Sequence, residues 1–366
     1  IGLKMRKRRH SEIKGKDLLS DLPDSILLHV LNFMRTKNAV QTCVLSLRWE
    51  HLWKRLTNLK FDSSHFPTST HFTEFVSSIL IHRDNSISLQ NVSLRHPDYF
   101  SPEILYSFIE YLVSHGIQHL TLDTKFSELP PCIFSCRSLT FLKISNLSTL
   151  LRKTVLPKSL GFPALKTLHL DNVSFITNDN DYAEPFSTCN MLTTLVIANS
   201  FEKGLCVNNS TLTSLTINTS HQYDHEEAHS YKIVLSTPRL TSLDTNGYLV
   251  YQLSSTCNLL YLEDVNFDVT CSFRNFPSKS LVLITWLHVF TNVTTMTISS
   301  KTLEILNVLL FHPSKRTNLP CFNRLKSIKV ELGSLSRISS DMEVRRIIEY
   351  LLQNSPPTSV NIIRDA

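Results

Sequence analysis

Leu165-Lys166-Thr167-Leu168-His169-Leu170, Leu192-Thr193-Thr194-Leu195-Val196-Ile197 and Leu212-Thr213-Ser214-Leu215-Thr216-Ile217 share one register. An apolar residue is followed by two variable ones, an apolar one, one variable and an apolar one. The last positions alternate, the period of a strand with one buried face. The register recurs upstream at Ile117-Leu120-Leu122 and Leu139-Leu142-Ile144, and downstream at Val293-Met296-Ile298 and Leu325-Ile328-Val330. Partial copies occur at Leu240-Leu243 and Leu259-Leu262. One such strand cannot bury its face alone, so neighbours are expected to stack into a parallel sheet while the chain returns across the other side. Uneven spacing, 19 to 34 residues between middle positions, predicts an irregular leucine-rich solenoid with varied helices, turns and loops outside. The variable residue before the last apolar position is expected on the concave side: Thr121, Lys143, His169, Val196, Thr216, Asp244, Glu263, Thr297 and Lys329 in order. This mixed row suits recognition of a protein. Lys143, His169, Thr216, Asp244, Glu263 and Lys329 are its candidate target contacts.

Residues 61–116 are expected to start the solenoid. An amphipathic helix is predicted over His71 to His82, a strand over Leu89 to Leu94, and a helix with Ser101 as N-cap and Pro102 at N1, closed by His115-Gly116. Residues 117–335 carry the repeats, and 336–366 are expected to cap them. There Asp341 is the expected N-cap of a helix with Val344, Ile347, Ile348, Leu351 and Leu352 on one face, followed by a strand over Val360 to Ile363.

Residues 17–60 read differently. Three short helices are expected, the first entered through Pro23 and Asp24, the last N-capped by Ser46 with Trp49, Leu52, Trp53 and Leu56 on its apolar face. The first helix carries two adjacent apolar stripes, Ile26, Val30, Phe33 and Leu27, Leu31, Met34. One stripe closes a small core, and the other needs a partner: either the rest of the chain or a second protein. The segment resembles an F-box of the kind found in plant F-box/leucine-rich-repeat proteins. The resemblance rests on Leu22-Pro23, Ile26/Leu27, Val30/Leu31, Ala39-Val40, Val44-Leu45-Ser46, Arg48-Trp49 and Leu52-Trp53; Leu47 departs from it, standing where the family carries a polar or basic residue. Leu325 to Pro356 resembles the terminal repeat and FBD-like region of the same family. The resemblance implies docking on a Skp-type adaptor, and through it on a cullin-RING ubiquitin ligase, by Leu22, Pro23, Ile26, Leu27, Val30, Leu31, Val40, Val44, Leu45 and Trp49. It implies an unidentified protein target held by the solenoid, and catalysis by partner subunits. The alternative is a binding module with no ligase role.

The net charge of +6 is local. Residues 1–60 hold 13 Lys/Arg against 5 Asp/Glu, and the remainder 24 against 26, so the body is not a nucleic-acid surface. The tail, 1–16, is expected to be disordered; its cluster Lys4, Arg6, Lys7, Arg8, Arg9 reads equally as a nuclear import signal or a solvated terminus, which gives a nuclear or cytoplasmic location or both. Eight scattered cysteines without a C-x-x-C pair read as reduced thiols of an intracellular protein. The longest apolar run, Leu281 to Phe290, is too short to span a bilayer. His225-Glu226-Glu227-Ala228-His229 matches the zinc-protease motif, but polar flanks deny it an apolar helical face, so no metal is expected. No phosphate-binding or dinucleotide-binding glycine loop is found, and no cofactor is expected. The expected fold class is α/β: a short three-helix F-box, then an irregular leucine-rich-repeat solenoid with a parallel sheet and outer helices and loops.

Overall fold

The computed structural model describes residues 19, 22–147, 153–178, 182–200, 204–220, 231–271, 276–310, 319–333, 337–338 and 340–364. The basic tail, the segment 221–230 with its His225–His229 motif, and Asp179 to Asp181 lie outside them. The helical entry comprises α1 (Asp24–Phe33), α2 (Thr36–Gln41) with a 3-10 turn at Thr42–Val44, and α3 (Trp49–Leu52) with another at Trp53–Arg55. The solenoid follows as β1 (Asn58–Asp62), α4 (Ser69–His82), β2 (Asn91–Tyr99), α5 (Pro102–Ser114), β3 (His119–Lys125) and β4 (Phe141–Asn146). Its middle is all strand: β5 (Thr154–Leu156), β6 (Thr167–Asp171), β7 (Val173–Phe175), β8 (Tyr182–Ala183), β9 (Thr194–Ala198), β10 (Gly204–Asn208), β11 (Ser214–Thr219), β12 (Lys232–Ser236), β13 (Ser242–Tyr248), β14 (Gln252–Ser255) and β15 (Asp264–Thr270). It ends as α6 (Phe276–Val289), β16 (Thr295–Ser299), α7 (Ser300–Leu310), β17 (Ser327–Leu332), α8 (Asp341–Leu351) and β18 (Ser359–Arg364).

Twelve strands form one parallel sheet in the order β1-β2-β3-β4-β6-β9-β11-β13-β15-β16-β17-β18. Each neighbour in chain order is therefore a neighbour in space, as a solenoid requires. The middle apolar residues pair from coil to coil: Leu59 with Val92, Leu120, Leu142, Leu168, Leu195, Leu215, Leu243, Val265, Met296, Ile328 and Val360. From Leu59 to Ile328 they are buried. The outer layer changes along the axis. Helices α4 and α5 cover the first coils and α6, α7 and α8 the last, while β14-β12-β10-β8 form a second sheet over the middle and β5-β7 a third.

Two complete copies of the repeat precede those expected. Leu56-Leu59-Phe61 and Leu89-Val92-Leu94 are buried in the same register. The sheet thus begins inside the segment expected to close the helical module. One expected copy is out of register: β15 pairs Val265 with Leu243 and Met296, so the repeat is Leu262-Val265-Phe267, not Leu259-Leu262. Two caps also differ. Ser46 receives the N–H groups of Trp49 and Glu50 on its backbone carbonyl, not its hydroxyl. Ser340, not Asp341, caps α8 by accepting from the Glu343 N–H, which leaves Asp341 to pair with Arg364 at 2.6 Å.

The coils are stitched where they turn. Asn172 and Asn199 adopt positive φ, 55° and 50°, as the chain leaves β6 and β9. Asn199 Nδ2 donates to Asp171 at 3.0 Å, and its Oδ1 accepts from the Ser220 N–H at 2.8 Å. Gly247 sits at φ 96°, so close to β11 that a Cβ there would lie 1.9 Å from the Thr219 carbonyl oxygen.

Candidate functional site

Two surfaces stand out. On α1 the choice between stripes is resolved: Leu27 and Leu31 are buried, while Ile26, Val30 and Phe33 are 46%, 49% and 70% exposed. After α2 the chain exposes Val44 (83%), Leu45 and Leu47 (84%) as well. Other exposed large apolar residues among the described ones are Leu19 and residues scattered singly or in pairs from Ile81 to Ile363. A concentration of this kind in residues 26–47 is characteristic of an interface, since solvent exposure of contiguous apolar surface is unfavourable. Arg48 fixes the entrance: its Nε and Nη2 reach Asp24 at 2.8 and 2.7 Å, and Nη2 also donates to the Leu22 carbonyl. That guanidinium holds exposed Pro23 and half-buried Leu22 against α3.

Of the residues expected to dock an adaptor, Pro23, Ile26, Val30, Val44 and Leu45 are exposed, Leu22 and Val40 half-buried, and Leu27, Leu31 and Trp49 buried. The last three therefore build the module's core and hold the others; they do not present a surface. The expected set omits Leu47 and Phe33, although both are fully displayed.

The helical module also closes the first edge of the sheet. Strand β1 bonds β2 on one side and would leave N–H groups open on the other. Asn32 Oδ1 accepts from Thr57 N (3.2 Å) and Asn58 N (3.1 Å), and Thr36 Oγ1 from Lys60 N (2.8 Å). Buried Arg83 joins the same junction: Nε and Nη2 donate to the Leu56 carbonyl, and Nη2 to those of Ile87 and Ser88.

The second surface is the open face of the sheet. Its central row runs Thr121, Lys143, His169, Val196, Thr216, Asp244, Asn266, Thr297 and Lys329, all in register. Five of the six candidate contacts thus stand side by side. Glu263 does not: it precedes β15, where its N–H donates to the Thr241 carbonyl and its own carbonyl accepts from Thr294 and Thr295. Asn266 takes its place. Rings of His119, Phe141 and His169 follow one another across β3, β4 and β6, with centroids 5.8 and 5.3 Å apart. Partial burial, then the neighbouring Lys143, hold the His169 imidazolium below the ordinary histidine pKa. Lys143 itself lies 3.6 Å from Asp123, and Lys329 2.5 Å from Glu331.

Neither surface carries a reaction constellation. Among the described residues no group of three or more His, Cys, Asp or Glu is placed to hold a metal ion. All eight cysteines are thiols rather than disulfides, and burial pushes Cys189 up to about 11 and raises Cys132 and Cys206, the reverse of what a thiolate nucleophile needs. No described helix is long and apolar enough to cross a membrane.

A parallel-sheet solenoid whose first edge is closed by a helical module with a displayed apolar face defines a class: leucine-rich-repeat solenoids fronted by a short helical module. Comparison with known proteins agrees. The F-box domain family matches residues 19–61, and the family described as "FBD-associated F-box protein At5g56370, LRR repeats" matches residues 105–258. F-box/LRR-repeat protein 13 of Arabidopsis thaliana is 28% identical over 345 residues, covering 89% of this chain and 74% of that protein. F-box/FBD/LRR-repeat protein At1g78750 of the same plant is 28% identical over 343 residues, 86% of this chain and 71% of its own length. FBD-associated F-box protein At5g18780, also from Arabidopsis thaliana, is 30% identical over 305 residues, 80% and 66% respectively. The chain belongs to the plant F-box/leucine-rich-repeat family of the FBD-associated type.

Proposed function

We propose that this protein is the substrate-receptor subunit of a Skp-cullin-F-box ubiquitin ligase, acting in the nucleus, the cytoplasm or both. The observation that carries the reading is the displayed apolar face of α1, Ile26, Val30 and Phe33, together with Val44 and Leu45. A helical cap for a sheet edge has no use for that face, whereas docking on a Skp-type adaptor does. The solenoid's open face then holds a protein target, and partner subunits supply the catalysis. The chain's contribution is proximity: tethering converts transfer to the target into an effectively intramolecular encounter. Asn32, Thr36 and Arg83 make the tether stiff, because they join the adaptor-docking module to the first coil by hydrogen bonds rather than by a linker.

A second reading, a binding module without a ligase role, draws on that same edge closure, since it gives the helices a structural task. Capture of purified Skp-type adaptor separates the two. Val30→Glu with Val44→Glu places charges on exposed positions and is expected to abolish capture while leaving the melting temperature within about 1 °C, since surface changes cost little. Undiminished capture by this folded double variant refutes the adaptor reading.

A further inference from the structure

The open face is not chemically uniform. From β6 to β15 its three outward rows carry Asp171, Asp244, Asp264 and Asp268 and no Lys or Arg. Three of these carboxylates are engaged: Asp171 by Asn199, Asp264 by the Thr295 hydroxyl and Asp268 by Lys301 at 3.7 Å. The side chain of Asp244 has no hydrogen bond or ion pair among the described residues. His169, three strands away, and Phe141, one strand further, form a half-buried aromatic step, and Val196 and Thr216 lie between His169 and Asp244. The lysines that bracket this stretch, Lys143 and Lys329, are each matched by their own acid.

We propose that this face captures an extended peptide running across the strands, with an aromatic or aliphatic side chain on Phe141–His169 and a Lys or Arg four residues away on Asp244. The proposal rests on the solenoid being the target surface and names the target's chemistry. The spacing follows from two repeats. Parallel strands stand about 4.8 Å apart, so β6 to β13 is about 14 Å. Four residues of extended chain rise about 13–14 Å, and because the side-chain period is two, the first and fifth residues point to the same side. The third residue then lands between Val196 and Thr216, which leave room for a small side chain. A basic residue over Asp244 gains an opposite charge without having to displace one already there. Stiff strands lose little conformational freedom on binding, which favours recognition here over recognition by loops.

The test uses the full chain, with and without purified Skp-type adaptor, and fluorescein-labelled nine-residue peptides of Ser, Thr and Gly carrying one Phe and one Arg, in both orders. A separation of four is expected to bind about tenfold tighter than a separation of three, which puts the two side chains on opposite sides, and tighter than peptides with Arg replaced by Glu. Asp244→Lys is expected to weaken the Arg peptide about tenfold and to restore tight binding to the Glu peptide, since attraction is exchanged for repulsion. Binding that ignores spacing and charge, or that is unchanged by Asp244→Lys, overturns the proposal. Adaptor capture in the same samples keeps the two readings apart. If capture succeeds and peptide selectivity fails, only the proposed chemistry falls. If selectivity is present in chain that captures no adaptor, only the ligase role falls.

Discussion

Arg83→Met tests whether the helical module and the first coil are one mechanical unit. Arg83 is 4% exposed, and no carboxylate faces it in an ion pair among the described residues. Its charge is solvated by backbone instead: Leu56 O at 3.2 and 3.1 Å, Ile87 O at 2.6 Å, Ser88 O at 3.2 Å and Asp84 O at 3.4 Å. A hydrogen bond from a charged group contributes about 1.5–3 kcal/mol, and the bonds of one guanidinium do not add fully. Methionine keeps the aliphatic stem packed but leaves those carbonyls without this donor. The expected loss is about 4 kcal/mol, since several part-buried carbonyls lose their donor at about 1–3 kcal/mol each without adding fully. Spread over the whole chain, at about 2.1 cal/mol/K per residue, that is about 5 °C in melting temperature. Solenoid coils, however, are stabilised mainly by their neighbours, so the loss should be concentrated at this end. Amide hydrogen exchange followed by mass spectrometry should therefore show α3 and β1 exchanging up to about a thousandfold faster, since each 1.4 kcal/mol is a factor of ten. Exchange in β11 and β13 should not change. If α3 and β1 keep their protection to within tenfold, Arg83 is not the joint between module and sheet.

Leu31→Ala should destabilise the helical module by about 2–5 kcal/mol, because Leu31 is 1% exposed, and circular dichroism melting of this variant beside Val30→Glu would expose the error if both melted alike. Gly247→Ala should cost about 2 kcal/mol or more, since φ is 96° and the new Cβ meets the Thr219 carbonyl; an unchanged urea midpoint would contradict this. His96 is buried between Phe72 and Phe100, with Nε2 3.0 Å from Ser69 Oγ, and burial, only partly opposed by Asp98, depresses its pKa. Below the unfolded value of about 6.5 the unfolded chain then binds the proton first, so stability falls as pH drops from about 6.5 toward the folded pKa. His96→Phe should lose less melting temperature than the parent between pH 7.5 and pH 5, and equal losses would show that this histidine does not set the dependence.

The repeat was legible because period two fixes inside and outside without knowledge of the neighbours: from Thr121 to Thr297 and Lys329 the open-face row follows from the sequence, Glu263 excepted. The exception was legible too. Leu259-Leu262 supplies two of three apolar positions, whereas Leu262-Val265-Phe267 supplies all three. Leu56-Leu59-Phe61 was hidden for another reason, since Leu56 closes the helical core and opens the sheet at once. The outer layer was legible only toward its ends, where α4, α5 and α8 follow from periodicity and caps, and not over the middle. Segments such as Gly204–Asn208 or Lys232–Ser236 are too short for periodicity to separate strand from turn, and they become strands because the coil before and the coil after offer parallel partners.

The two stripes of α1 mark the boundary between the two kinds of information. By itself the sequence determined that the chain is a leucine-rich solenoid, because alternation is a local property, while the F-box-like entry rested on resemblance at positions such as Leu22-Pro23 and Arg48-Trp49. It also determined that α1 has more apolar surface than one small core can use. Only the tertiary structure decided that Leu27 and Leu31 go inside while Ile26, Val30 and Phe33 stay out, because stripes of similar hydrophobicity differ only in what packs against them. The same holds for Arg83, Asn32 and Thr36. Their use as the joint between module and sheet depends on carbonyl and N–H groups 24 to 27 residues away in the chain, which folding alone brings within hydrogen-bonding distance.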